Sequence, residues 1–179
     1  MHIAIYGRAF NEKFSPYVEK LFAKLKEKKI SFSIYLPFFE YLSSMVKMDG
    51  KVSLFSSYEE IKGKADFIFS IGGDGTFLES TTFVRSSEIP IMGINTGRMG
   101  FLSSFAIDEV DAAMDAIINK TYTLDQRTLL RLDTPCKLFG DANFALNEVT
   151  VHKKDTAAMM IIHAHIDGKF LNTYWADGL

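Results

Sequence analysis

The sequence has one cysteine, four prolines and no long apolar run, and these scarcities exclude several classes of protein. Cys136 is the single cysteine, so the chain cannot form an internal disulfide. So low a cysteine content is typical of proteins in a reducing compartment. No apolar stretch approaches the roughly 20 residues that span a membrane, and residues 2–6 predict a strand where a signal peptide would lie. The net charge of -2 is too balanced for binding nucleic acid or membranes through bulk electrostatics. We therefore expect a soluble, cytoplasmic protein with no nucleic-acid or membrane partner.

Strand and helix patterns alternate over the first 120 residues. Short apolar runs predict strands at residues 2–6, 33–36, 65–71 and 89–94. Helical spacing of apolar residues predicts helices between them, and residues 49–64 predict a polar loop with a short helical turn. This order is typical of an α/β fold in which a parallel sheet carries helices on both faces. Ligands of such sheets bind beyond the carboxyl ends of the strands.

Capping signals predict where the helices begin. Ser15 is the predicted N-cap of the first helix, with Pro16 in its first turn. A second amphipathic helix is predicted over residues 38–46. A third begins near Thr76, which has capping-box spacing to Glu79, and Asp108 is the predicted cap of the last helix. The residues expected to face the core are Val18, Leu21, Phe22 and Leu25 in the first helix and Val110, Met114, Ile117 and Ile118 in the last.

The pattern changes after residue 120. Strands are predicted at residues 129–132, 144–152, 159–166 and 170–175, and Asp167-Gly168 is a hairpin turn signal. We place a domain boundary between Asn119 and Thr128. Residues 1–120 then form an α/β domain, and residues 121–179 form the first part of a β-rich domain that we expect to be incomplete at Leu179.

A glycine-rich loop follows the buried strand at residues 65–71. Residues 72–76 (GGDGT) lack side chains where an anion must approach, so they predict a phosphate site, although they match neither the P-loop nor the dinucleotide fingerprint. A carboxylate beside phosphate, here Asp74, is unfavourable unless a divalent cation or a proton transfer is involved. The alternative is a tight strand-to-helix turn with a solvated Asp74. Residues 95–102 (NTGRMGFL) form a second glycine-punctuated loop after the next strand.

Four segments together resemble the NAD kinase family. Residues 72–78 (GGDGTFL) are similar to its signature loop, and residues 95–102 are similar to its second motif. Residues 146–149 (LNEV) resemble the third, on the first long strand of the β domain, and residues 177–179 (DGL) resemble the start of the fourth. The first motif is shared with diacylglycerol kinases, sphingosine kinases and phosphofructokinases, whereas the combination is more specific.

The resemblance implies transfer of a phosphoryl group from ATP, or from polyphosphate in some members, to the ribose 2′-hydroxyl of NAD, with Mg²⁺ or another divalent cation. Asp74 is the predicted catalytic base; with an ordinary pKa of about 3.9 it would act late, in a loose transition state. Asn147 and Glu148 are expected on the ribose and adenine side, and Asp177 near the nicotinamide. Phe101 either packs on the adenine or belongs to the core. The predicted nucleotide-binding residues are Gly73, Gly75, Thr76, Asn95, Phe101, Asn147, Glu148 and Asp177.

Other candidates carry weaker hypotheses. His163 and His165 share a strand face, but only Asp167 is locally available as a third ligand, so we interpret them as a half-exposed strand face and predict no protein metal site. Two other functions stay open: a lipid kinase with the same glycine loop, and a non-catalytic dinucleotide-binding module. We expect the complete protein to be a homo-oligomer, and this chain alone to turn over NAD weakly or not at all.

Overall fold

A computed structural model describes residues 1–46, 48, 51–97, 100–102, 105–154 and 158–179. The chain divides into two compact units, Met1–Gln126 and Arg127–Leu179. No helix in the described ranges is both long and apolar enough to cross a membrane.

The first unit is built on a six-stranded parallel sheet with the strand order β3-β2-β1-β4-β5-β6. Its strands are β1 (His2–Gly7), β2 (Ser31–Tyr35), β3 (Ser53–Phe55), β4 (Phe67–Gly72), β5 (Ile91–Asn95) and β6 (Phe105–Ala106). The α/β prediction is therefore confirmed. The sequence did not predict the edge strands β3 and β6, which are only three and two residues long.

Among the described residues, four α-helices lie between consecutive strands of this sheet and a fifth follows β6. They are α1 (Ser15–Glu27), α2 (Leu36–Leu42), α3 (Tyr58–Ile61), α4 (Asp74–Ser80) and α5 (Val110–Asn119). Short 3-10 turns lie at Glu12–Phe14, Thr81–Phe83 and Ile107–Glu109. The predicted polar loop therefore contains both β3 and α3, apart from Asp49 and Gly50, which lie outside the described residues.

The core lies on both faces of the sheet because β4 is buried at all six positions. Phe67, Phe69 and Ile71 pack with the apolar faces of α1, α2 and α5. Ile68 points the other way and packs in a smaller cluster with Ile61 of α3. Alternate residues of a strand point to opposite faces, so a continuous apolar run is what a doubly covered central strand requires.

Three details of the predictions for α1 and α5 are wrong. Ser15 is the first residue of α1 and not its N-cap, which is Phe14. Asp108 lies within the 3-10 turn that precedes α5 and does not cap that helix. Ile118 is 37% exposed, and Ala113 takes its expected place in the core. The inward face of α1 is confirmed, since its four predicted core residues are all buried.

The second unit contains two antiparallel strand pairs. β7 (Leu130–Arg131) pairs with β8 (Phe144–Ala145), and β9 (Met160–Ile166) pairs with β10 (Lys169–Ala176). The predicted turn at Asp167-Gly168 joins β9 to β10, and both residues have positive φ, of 50° and 76°.

The predicted long strand at residues 144–152 is wrong beyond Ala145. β7 and β8 pair over two residues each, and His152 forms an isolated bridge with Gly178. In β9, His163 and His165 lie on an exposed face, and His163 Nδ1 is 2.9 Å from Thr173 Oγ1. This geometry supports the interpretation of a half-exposed strand face.

Two substitutions on α5 test how this helix packs. Met114 is fully buried, so Met114→Ala should lower the free energy of unfolding of the first unit by about 2–5 kcal/mol. Ile118→Ala should change it by less than about 1 kcal/mol, because the side chain is partly exposed. Urea unfolding followed by helical circular dichroism measures both. Equal losses for the two variants would contradict the described orientation of α5.

Candidate functional site

Two glycine-rich loops lie at the same edge of the sheet because β4 and β5 are neighbours. Gly72 pairs with Asn95 at the carboxyl ends of these strands. The Thr96 N–H donates to the Gly72 carbonyl at 3.2 Å. The two loops therefore start side by side at the edge where parallel sheets bind their ligands.

The glycines of the first loop differ in what the fold requires of them. Gly72 has φ of 157°, and a Cβ there would overlap the buried Thr76 side chain, so the fold itself needs this glycine. A Cβ at Gly73 or Gly75 would meet no atom of a described residue within 4 Å. Packing of the described residues therefore does not explain the glycines at these two positions, where the backbone faces open space.

The helix after this loop begins earlier than predicted. α4 begins at Asp74, with Gly73 as its N-cap, and the Phe77 N–H donates to the Gly73 carbonyl at 3.0 Å. The predicted capping box is wrong. Thr76 packs against Gly72, and the Glu79 carboxylate instead binds side chains from β1 and the residue after it.

The Asp74 carboxylate connects the two loops. Its Oδ2 accepts the Phe101 N–H at 2.7 Å, and its Oδ1 accepts the Leu102 N–H at 3.0 Å. Gly100 is needed for this approach, because a Cβ there would overlap the carboxylate. Asp74 is half-buried, so the alternative of a simply solvated turn residue is wrong. Arg98 and Met99 of the second loop lie outside the described residues.

Two other predicted residues lie on the second loop. Asn95 is buried, and its Oδ1 accepts the Gly97 N–H at 2.6 Å, which shapes the start of the loop. Phe101 is 97% exposed, so the interpretation that its ring is part of the core is wrong. Its backbone is held by Asp74 while its ring faces solvent.

A side-chain cluster beside the first loop was not predicted. Glu79 Oε2 accepts both the Tyr6 hydroxyl at 2.9 Å and the Arg8 Nε–H at 2.7 Å. The hydrogen bond from Arg8 is the main cause that lowers the pKa of Glu79. The same bond raises the pKa of Arg8, and burial raises the pKa of Tyr6. The sequence held one signal for this cluster, since Arg8 directly follows a strand at the ligand-binding edge.

The remaining predicted residues belong to the second unit. Asn147 and Glu148 follow the end of β8 and are exposed. Asp177 forms an ion pair with Lys153, at 2.6 Å between Oδ1 and Nζ. Their predicted place on the nucleotide beside the glycine loop stays a prediction.

The described residues contain no group of three or more His, Cys, Asp or Glu side chains that could hold a metal ion. Asp74 supplies a single carboxylate at the loop edge, and Mg²⁺ commonly binds proteins through one or two carboxylates together with substrate phosphates. These residues therefore fit a cation that is bound together with a nucleotide, and not a complete protein cage.

Known proteins are similar to this chain over its whole length. An NAD kinase from Cytophaga hutchinsonii is 44% identical over 180 residues, which cover all of this chain and 61% of that protein. The structure of yeast NADH kinase complexed with NADH matches with a TM-score of 0.77 at 19% identity, over 99% of this chain and 56% of that one. The NAD kinase from Archaeoglobus fulgidus in complex with ATP matches with a TM-score of 0.68 at 23% identity, over 99% and 59%.

The matches cover only part of each of these relatives. The chain spans about 61% of the length of its curated relative, and the two solved structures establish the fold alone. The family model for the ATP-NAD kinase N-terminal domain matches residues 11–122, which is more than half of the chain. The chain therefore belongs to the NAD kinase family.

Proposed function

We propose that the protein phosphorylates the ribose 2′-hydroxyl of NAD with ATP, or with polyphosphate, and so produces NADP. The observation that carries this proposal is the loop at residues 72–76. Gly73 and Gly75 leave open space that packing does not require, directly beside a carboxylate fixed by two backbone N–H groups. Family membership and the folds of relatives solved with NADH and with ATP support the same conclusion.

Asp74 is the proposed general base. Asp74 accepts the Phe101 and Leu102 N–H groups, which hold its carboxylate at the start of the glycine loop, where a substrate hydroxyl would approach. As the bond between the ribose oxygen and the γ-phosphorus forms, the bond from phosphorus to the leaving oxygen of ADP breaks. The hydroxyl proton passes to Asp74. In a loose transition state this weak base is sufficient, because the proton becomes acidic only late.

The glycine loop is the proposed phosphate cradle. Backbone N–H groups near Gly73, Gly75 and Thr76 can approach phosphate oxygens because no Cβ intervenes at the two glycines. Mg²⁺, when bound with the triphosphate, would neutralise part of its charge. Phosphate oxygens would supply ligands for it, while Asp74 acts as the base.

The acceptor-binding residues are proposed from the family motifs. Asn95 shapes the second loop, and the exposed Phe101 ring is available to stack on an adenine. Asn147 and Glu148 are proposed to bind the adenosine part of NAD and Asp177 the nicotinamide end. We further propose a cytoplasmic enzyme that is a homo-oligomer when complete.

An activity assay tests the function. The protein is expressed over its whole reading frame and incubated with NAD and ATP, and NADP is measured with an NADP-specific dehydrogenase. Polyphosphate as donor and diacylglycerol or a sphingoid base as acceptor are run in parallel. NADP formation supports the proposal. Phosphorylation of the lipid alone would contradict it, and NAD binding without turnover would identify a binding module.

The base role predicts the behaviour of Asp74→Asn. The amide has the size of the carboxylate but cannot take a proton, so turnover should fall about 100-fold or more while NAD binding persists. Its NH₂ group cannot accept one of the two N–H groups that Asp74 accepts, so a loss of NAD binding together with turnover would instead identify loop anchoring as the main role. Steady-state kinetics and calorimetric titration with NAD provide the two readouts. Near-normal kcat would contradict the base role.

The cradle role predicts opposite effects of Gly75→Ala on stability and activity. Alanine is favoured over glycine within a helix by about 0.5–1 kcal/mol, and its Cβ meets no described atom, so the variant should unfold at equal or higher urea concentration. The KM for ATP should nevertheless rise about tenfold or more, because the methyl group occupies the phosphate position. An unchanged or higher urea midpoint shows that a change in KM does not come from loss of the fold. An unchanged KM in Gly75→Ala would contradict the cradle.

A further inference from the structure

Arg8 lies at the ligand-binding edge of the sheet without a role in any motif. It directly follows β1, where Gly7 pairs with Ile71 of β4. The Arg8 N–H donates to the Ile71 carbonyl at 3.3 Å. Ile71 immediately precedes the glycine loop, so Arg8 and this loop leave neighbouring strands at the same edge.

The Arg8 guanidinium is held in place through one nitrogen only. Its Nε donates to Glu79 Oε2, and that oxygen also accepts the hydroxyl of Tyr6, which is 2% exposed. The Glu79 carboxylate is thereby fixed to the core. Among the residues that the structure describes, none accepts a hydrogen bond from Nη1 or Nη2 of Arg8, whose side chain is 55% exposed.

This arrangement favours binding of an anion over a purely structural ion pair. Half-exposed ion pairs contribute little to stability, typically about 0–1 kcal/mol. A guanidinium whose Nε is occupied still presents two NH₂ groups, the donors that bind phosphate oxygens in a fixed plane. Glu79 restricts the rotation of the Arg8 guanidinium, so less side-chain conformational entropy is lost when an anion binds.

We propose that Arg8 donates hydrogen bonds from its Nη atoms to a phosphate group of the nucleotide at the glycine loop, with Glu79 and Tyr6 as positioning residues. The proposal rests on the proposed function. The phosphate belongs either to the ATP donor or to the diphosphate of NAD, and separate Michaelis constants distinguish the two sources.

The test compares Arg8→Gln with Arg85→Gln in the protein expressed over its whole reading frame. Arg85 is the matched control, because it also pairs with a glutamate, Glu59, at 3.7 Å, but lies between α4 and β5. Arg8→Gln should raise the KM for ATP or for NAD about tenfold or more, as expected for a lost charge-assisted hydrogen bond, and Arg85→Gln should raise neither. Arg8→Lys, which keeps the charge without the fork, should give an intermediate KM.

One kinetic outcome would overturn the proposal, and a binding measurement tests it even if the proposed function is wrong. If Arg8→Gln and Arg8→Lys change both Michaelis constants no more than Arg85→Gln does, Arg8 is a structural residue. If the unmodified protein makes no NADP, calorimetric titration with inorganic tripolyphosphate replaces the kinetics. Affinity about tenfold weaker in Arg8→Gln would then support the phosphate contact, and equal affinity would overturn it.

Discussion

The hydrogen bonds from two backbone N–H groups to the Asp74 carboxylate are the contact on which the site depends. β4 and β5 bring Gly72 and Asn95 side by side, but sheet pairing alone does not fix the loops that follow. Asp74 does so by holding Phe101 and Leu102 against the start of α4. The same carboxylate is the proposed base, so one side chain would both hold the two loops together and accept the proton.

The glycines around Asp74 separate requirements of the fold from requirements of a ligand. Gly72 and Gly100 are needed because a Cβ would overlap Thr76 or Asp74. A Cβ at Gly73 or Gly75 would contact no atom of a described residue within 4 Å. Open space beside a fixed carboxylate is the physical basis on which we propose a phosphate site here, and Arg8 would add a cationic donor at the same edge.

Hydrophobic pattern was sufficient to predict the central strands, the inward face of α1 and the α/β class, because burial on one face or on both leaves a periodic signal. Contacts between residues that are distant in sequence leave no such periodic signal. Glu79 has the spacing of a capping box, yet its partners are Tyr6 and Arg8, more than 70 residues away in sequence. The contacts of Asp74 span 27 and 28 residues. Strand β8 pairs with β7 over only two residues, an extent that the local apolar pattern does not reveal.

The most direct test of the phosphate site is a titration of the ¹⁵N-labelled protein with ATP and Mg²⁺, followed through its backbone amide resonances. The account predicts that the amides of Gly73, Gly75 and Thr76 shift together and saturate with one dissociation constant. Amides at the opposite, amino-terminal edge of the sheet, such as that of Phe67, should not move. Saturable shifts that spare the glycine loop would contradict the central claim that this loop binds the nucleotide phosphates.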